Sequence, residues 1–124
     1  MNLDGFKTVE KVWGTEVWLV NNERYCAKLL HIKPGYQCSL HMHPIKKETF
    51  IVLDGGVNLE ILPAVGTTDN KTNSNYLVSG ESYTLDPGTY HRFSSYTGEE
   101  AVILEISSTH SDDDVVRLEN SKAL

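Results

Sequence analysis

Short apolar stretches separated by turn-forming residues run along most of the chain, and this pattern predicts β-strands. Asp54 with Gly55, and Pro87 with Gly88, are turn signals that close two of these stretches. No long stretch repeats its apolar residues with the period of a helix. Strands this short and closely spaced are typical of an all-β sandwich or barrel. The predicted strands cover residues 17–20, 25–32, 37–43, 49–53, 57–62, 76–78, 82–85, 90–94 and 101–107.

Two segments lack the strand pattern. Residues 63–75 are polar and rich in Thr, Asn and Asp, which predicts a loop. Near the C-terminus, Asp112, Asp113 and Asp114 precede an apolar group that begins at Val115. Acidic residues stabilise the start of a helix, so this segment is either a short helix or a solvated acidic tail.

The length of 124 residues fits one domain. We divide it into an N-terminal arm at about 1–20, a barrel at about 21–108 and a C-terminal tail at about 109–124. Hydrophobic residues make up 40% and charged residues 23% of the chain, which excludes a disordered or coiled-coil protein.

Acidic residues outnumber basic ones by 17 to 11, which gives a net charge of −6. This balance argues against nucleic acid or an anionic membrane surface as a partner. No apolar run approaches the roughly 20 residues that cross a bilayer. The first residues also lack the basic and apolar parts of a signal peptide. We therefore expect a cytoplasmic protein.

Three of the five histidines occur in a pattern that suggests a metal site. Alternate residues of a strand point to one face, so His41 and His43 direct two imidazoles to the same place. Glu48 follows after the break at Pro44, and His91 begins a later strand. Three imidazoles and one carboxylate suit a divalent transition metal and leave positions open for water or substrate. Two histidines at this spacing, without the other ligands, would more often face solvent.

The spacing around these residues resembles the two motifs of the cupin superfamily. Gly35, His41, His43, Glu48 and Gly55 match the first motif, G-x5-H-x-H-x3/4-E-x6-G, in full. In the second motif, Gly80, Gly88 and His91 match, the proline is one place late at Pro87, and Ser95 replaces an Asn. The resemblance implies a single cupin barrel (a jelly-roll, or double-stranded β-helix) with His41, His43, Glu48 and His91 around one metal.

A narrower resemblance links most of the chain to type II phosphomannose isomerase domains and to single-domain cupins of the D-lyxose isomerase kind. Its residues are Val12 to Gly14, Ile32 to Gly35, Ser39 to His43, His91 with Arg92, and Leu104 to Ile106. It implies a sugar or sugar-phosphate aldose–ketose isomerase that acts through a metal-stabilised enediolate. The metal would be Mn, Fe, Zn or Ni, and the partner a small sugar or its phosphate.

Such a reaction needs a base that moves a proton between adjacent carbons. Lys28 and Glu105 are the candidates, because each lies on an apolar predicted strand and is expected to point into the barrel. Ser39 shares the parity of His41 and is a candidate substrate contact. Lys46 and Arg92 are candidate phosphate contacts, although strict alternation turns Arg92 away from the metal.

Two other functions fit the same ligands. The chain could be a non-catalytic sugar-binding or regulatory cupin, or an Fe(II)-dependent cupin dioxygenase. We also expect a homodimer, in which the N-terminal stretch with Trp13 and Trp18 packs against the partner's sheet or adds a strand to it. His31 and His110 have no motif support.

Overall fold

Thirteen β-strands lie within residues 2–63 and 71–124, which are the residues that this computed structural model describes. They are β1 Lys7–Lys11, β2 Gly14–Asn21, β3 Cys26–Ile32, β4 Tyr36–Gln37, β5 Leu40–Met42, β6 Glu48–Asp54, β7 Gly56–Ile61, β8 Asn73–Val78, β9 Ser82–Leu85, β10 His91–Ser95, β11 Ala101–Ser107, β12 Val116–Glu119 and β13 Lys122–Ala123. Every predicted strand overlaps one of these, and the all-β class is confirmed.

The strands form two antiparallel sheets. The first has the order β1-β2-β3-β11-β6-β9, and the second has the order β12-β5-β10-β4-β13, with β7 joining β10 to β8. Strand β11 shows the alternation that a half-buried strand requires: Ala101, Ile103, Glu105 and Ser107 are buried. Its register places Glu105 directly opposite Lys28 on β3. The topology therefore brings both predicted base candidates to one buried face.

The apolar core lies between the sheets and borders the site described below. Phe50 and Phe93 belong to this core, and Trp13 packs edge-on against Phe93 at a ring-centroid distance of 4.9 Å. Trp13 is only 4% exposed. The chain's own core therefore buries Trp13, and little of this side chain is left to contact a partner subunit.

The motif glycine at the β6–β7 turn has a steric reason. Gly55 has a φ of 74°, a conformation that side chains with a Cβ rarely adopt. A Cβ at this position would lie 2.7 Å from the carbonyl oxygen of Glu100. The turn can approach its neighbour only with glycine there.

The C-terminal segment differs from its prediction. No helix occurs among the described residues of this segment, and β12 pairs instead with β5, with Arg117 opposite His41. Strand β13 pairs with β4. The short strands β4 and β5 would otherwise leave backbone groups unpaired at the sheet edge, and tertiary pairing outweighs the local helix preference.

The predicted N-terminal arm and the predicted polar loop both contribute residues to strands. Strand β1 lies in the predicted N-terminal arm and pairs with β2 along its whole length. The loop predicted for 63–75 falls partly on residues 64–70, which lie outside the described residues, and its end belongs to β8. Within the described ranges, no helix is long and apolar enough to cross a membrane.

Candidate functional site

A cavity of about 710 Å³ is lined by residues from both sheets. The second sheet contributes His41 and Phe93, and the first contributes Trp18, Lys28 and Glu105. Two groups of polar side chains occupy it, and each is held by a different kind of contact.

The first group, which we call the histidine cluster, consists of His41, His43, His91 and Glu48. His41 on β5 is the register partner of His91 on β10, and His43 follows directly after β5. One nitrogen of each imidazole lies within 4.8 Å of those of the other two. Oε1 of Glu48, at the start of β6, is 3.0 Å from Nε2 of His91 and 3.7 Å from Nε2 of His43.

Backbone carbonyls fix the orientation of all three rings. A carbonyl oxygen only accepts hydrogen bonds, so the Nδ1–H of each ring must be the donor, and Nε2 of the neutral ring carries the lone pair. This arrangement is typical of metal-binding histidines. The donor–acceptor pairs are His41 with Ser39 at 2.7 Å, His43 with Asp114 at 2.6 Å and His91 with Thr89 at 2.9 Å.

Burial favours the neutral form of His41 and His43. It lowers the pKa of His41 to about 3 and also lowers the pKa of His43. Neutral imidazoles are the form that binds a metal ion.

The donor set fits a divalent transition metal. Oε1 of Glu48 and Nε2 of His91 are both buried and have no hydrogen-bond partner among the described residues. Two buried lone-pair atoms facing each other are costly unless a donor or a cation lies between them. Three imidazole nitrogens and a carboxylate oxygen match the preferences of such a cation.

The second group, which we call the lysine–carboxylate cluster, consists of Lys28, Lys46, Glu16, Glu105 and His110. Nζ of Lys46 lies 3.1 Å from Oε2 of Glu105 and 3.6 Å from Oε2 of Glu48. Burial opposes the charge of Lys46, but the two carboxylates raise its pKa. Lys46 is therefore a fixed cation that joins the two groups.

The same oxygen of Glu105 has a second donor. Oγ of Ser107, two residues along β11, donates to Oε2 of Glu105 at 3.0 Å. No described residue forms a hydrogen bond with Oε1 of Glu105 in the structure. The carboxylate is thus anchored through one oxygen and keeps the other for a ligand.

Lys28 is 1% exposed and lies among groups that suit an ammonium. Its Nζ is 3.6 Å from Oε1 of Glu16 and 4.1 Å from the centre of the Trp18 ring. Nε1 of Trp18 donates to the same oxygen of Glu16 at 3.0 Å. Within this chain, Trp18 lies in the cavity wall.

The cavity brings together most of the residues selected from the sequence. Ser39 lines it with its hydroxyl 3.1 Å from Nδ1 of His41. Arg92 is placed elsewhere: its guanidinium forms a fork with Glu60 at 2.9 and 3.1 Å and reaches Glu119 at 3.4 Å. Among the described residues that line the cavity, Arg92 is absent.

Sequence reasoning missed His110 and Asp114. The Asp114 carboxylate accepts from the backbone N–H groups of Ile45 and Lys46 at 2.8 and 2.9 Å, so it holds the loop after His43. A run of three acidic residues gave no signal for this role, because the contact spans 69 residues of chain. His110 also belongs to no sequence motif that would have pointed to the cavity.

The profile of the mannose-6-phosphate isomerase C-terminal family matches residues 2–120 of the chain. The chain is 37% identical over 113 residues to the D-lyxose/D-mannose isomerase of Thermosediminibacter oceani, across 77% of this chain and 61% of that protein. It is 32% identical over 115 residues to the D-lyxose ketol-isomerase of Cohnella laeviribosi, across 78% of this chain and 63% of that protein. The chain therefore spans less than two thirds of the length of these relatives.

Among solved structures, a variant of Bacillus subtilis oxalate decarboxylase superposes with a TM-score of 0.78 at 17% identity. The match covers 95% of this chain and 32% of the other. At this identity the likeness establishes the fold alone, and it confirms the expected cupin barrel.

Proposed function

The chain belongs to the mannose-6-phosphate isomerase C-terminal family, and we propose that it is a divalent-metal-dependent aldose–ketose isomerase of sugars. The observation that carries the proposal is the cluster of three imidazoles and Glu48 beside a cavity that also holds a buried carboxylate, Glu105, anchored by Lys46. The names of the relatives support D-lyxose and D-mannose as the first substrates to test.

His41, His43, His91 and Glu48 would hold the metal. A divalent cation bound there would supply Lewis acidity toward a carbonyl and the neighbouring hydroxyl of the open-chain sugar. Ser39 lies beside His41 at the cavity wall, where its hydroxyl can hydrogen-bond a sugar hydroxyl or keep the His41 ring in place.

The proton transfer falls to the lysine–carboxylate cluster. An aldose becomes a ketose when one base removes a proton from the carbon beside the carbonyl and returns it to the former carbonyl carbon, while the proton of the neighbouring hydroxyl passes to the former carbonyl oxygen. Glu105 can do both through Oε1, because Lys46 and Ser107 hold only Oε2. Lys28, opposite Glu105 in the sheet, is the other side chain within this group that could act as the base.

The pairing of the two buried lysines with carboxylates favours an unphosphorylated sugar in the inner cavity; Lys7, Lys11 and Arg117 are the other cationic residues of the lining. Lys46 is buried between Glu48 and Glu105, and Lys28 lies beside Glu16. Arg92 is paired with Glu60 outside the cavity lining. A phosphate entering the inner cavity would compete with carboxylates that these lysines already neutralise.

The test is a screen of aldoses, ketoses and their phosphates with added Mn²⁺, read by exchange of the transferred proton with solvent deuterium. We expect exchange and product with D-lyxose or D-mannose, none after removal of the metal with a chelator, and no consumption of oxygen. Oxygen uptake with a substrate would indicate a dioxygenase. Tight sugar binding without exchange would indicate a binding protein, and either result would refute the proposal.

Two further predictions from the sequence accompany this proposal. Light scattering of the purified protein should give a homodimer, and a single-chain mass of 13.9 kDa at tens of micromolar would contradict it. The cytoplasmic location is tested by fractionating cells that express the full chain.

A further inference from the structure

His110 lies within the lysine–carboxylate cluster with both ring nitrogens engaged. Its Nδ1 is 3.1 Å from Nζ of Lys28 and 3.5 Å from Nζ of Lys46. Its Nε2 is 2.8 Å from Oδ1 of Asp112, whose side chain is 93% exposed. The ring packs edge-on against Trp18 at a centroid distance of 4.9 Å. His110 thus connects the inner cavity with its outer edge.

The partners of His110 determine which nitrogen carries the proton. The carboxylate of Asp112 only accepts, so Nε2 must donate to it. In the neutral ring Nδ1 then carries the lone pair and accepts from Nζ of Lys28. Burial and the charge of Lys28 lower the pKa of His110 against the opposing effect of Asp112, which agrees with a neutral ring.

The opposite tautomer does not fit the same geometry. A proton on Nδ1 would face Nζ of Lys28 at 3.1 Å, and this contact would require a neutral amine as the acceptor. At the same time, the lone pair of Nε2 would face the carboxylate of Asp112 at 2.8 Å with no proton between them. Asp112 therefore selects a tautomer that is compatible with Lys28 as an ammonium group.

Resting on the isomerase function above, we propose that Asp112 and His110 hold Lys28 as a cationic hydrogen-bond donor, which leaves Glu105 as the base. His110 is then a positioning residue that acts through Lys28. Glu16 at 3.6 Å and the Trp18 ring stabilise the same charge from other sides. The ammonium can donate an N–H to a sugar oxygen as negative charge develops there, which is the role of a fixed electrostatic donor.

The proton positions are tested directly by nitrogen-15 NMR of the full chain labelled at histidine. The His110 signals are assigned by their loss in His110→Asn. We expect an unprotonated Nδ1 and a protonated Nε2 in the unsubstituted protein, and a weaker preference in Asp112→Asn. A protonated Nδ1 would overturn the proposal. This measurement needs no turnover, so it is decisive even where the isomerase function fails.

The consequence for the reaction is tested by two pairs of variants. Lys28→Gln keeps an N–H donor without a basic nitrogen, whereas Lys28→Met keeps neither. His110→Asn can present its amide oxygen as an acceptor, whereas His110→Leu cannot. We expect kcat to fall by about 10- to 100-fold in Lys28→Met and in His110→Leu, the loss of a hydrogen bond to a charged group, with KM changing less. Lys28→Gln and His110→Asn should each recover part of the kcat that is lost in Lys28→Met and His110→Leu.

His31→Asn is the matched control, because His31 contacts Glu100 outside the main cavity. It should keep the kcat of the unsubstituted protein. If Lys28→Gln is as inactive as Lys28→Met while Glu105→Gln remains active, Lys28 is the base and the proposal is wrong. If His110→Leu keeps its kcat within about twofold, no positioning role is present.

Discussion

The histidine cluster and the lysine–carboxylate cluster share one cavity but are held by different contacts. Backbone carbonyls fix the three imidazoles. For His41 and His91, the accepting carbonyl is only two residues away in the chain. The lysine–carboxylate cluster is fixed by side chains that hold one another across long separations, 82 residues between Lys28 and His110 and 59 between Lys46 and Glu105.

This difference has a functional meaning. Backbone anchors set the ring positions before any ligand binds, which suits a metal site of fixed geometry. A network of side chains is cooperative: removing one member changes the hydrogen bonding and charge of its neighbours. We therefore expect substitutions in the histidine cluster to abolish metal binding and those in the other cluster to alter the reaction while the metal stays.

The largest effect should come from His41→Ala. It removes one nitrogen ligand, so we expect loss of activity and a large fall in metal affinity. The fall should exceed the roughly 10- to 100-fold that is typical when a residue hydrogen-bonded to a metal ligand is removed. Metal content after dialysis and circular dichroism of the fold are the measurements. His31→Ala is the control, since His31 lies outside the cluster. A folded variant that keeps its metal would show that His41 is not a ligand.

Glu105→Gln should separate the two clusters most clearly. It retains the volume but removes the proton acceptor, so kcat should fall by about 10²- to 10⁴-fold while bound metal is unchanged. Titration with Mn²⁺ and steady-state kinetics provide the two readouts. Glu100→Gln serves as the control because that side chain is 58% exposed. Near-normal turnover would remove Glu105 as the base.

How well each cluster can be predicted from the sequence depends on whether its contacts are local or long-range. His41, His43 and Glu48 are close in sequence, and strand alternation with one turn is enough to bring them together, so their spacing was informative. The inward placement of Glu105 also follows from alternation along β11. His110 and Trp18 could not be assigned to the cavity, because only the tertiary packing of the sheets brings them to Lys28.

A similar limit applies to the fold. The central strands were predictable because their buried positions alternate, as in β11. Strand β12 is mostly exposed and carries no alternating signal, so only its hydrogen bonds to β5 make it a strand. Its approach also brings Asp114 to the histidine cluster, which a solvated tail would not do.

Asp114→Ala tests this long-range support and should have an intermediate effect. The Asp114 side chain accepts from two backbone N–H groups, of Ile45 and Lys46, and the residue is 7% exposed. Losing these bonds should lower the free energy of unfolding by about 2–3 kcal/mol. Metal affinity should fall by about tenfold: the substitution keeps the backbone carbonyl that orients His43, but it removes the side-chain bonds that hold this segment against the loop after His43. Urea unfolding and metal titration measure both, with exposed Asp113→Ala as the matched control. Equal stability of the two variants would contradict the supporting role.

The smallest effect on the reaction should come from Arg92→Ala. Arg92 follows His91 on β10, and its guanidinium pairs with Glu60 and Glu119 rather than with groups that line the cavity. Removing a partly exposed ion pair should lower the free energy of unfolding by about 1 kcal/mol, whereas kcat/KM for a free sugar should stay within about twofold. Thermal unfolding and kinetics with a sugar and its phosphate test this, with exposed Arg24→Ala as the control. A KM that rises for the phosphate alone would mean that Arg92 turns toward the substrate, and that the cavity accepts phosphorylated sugars after all.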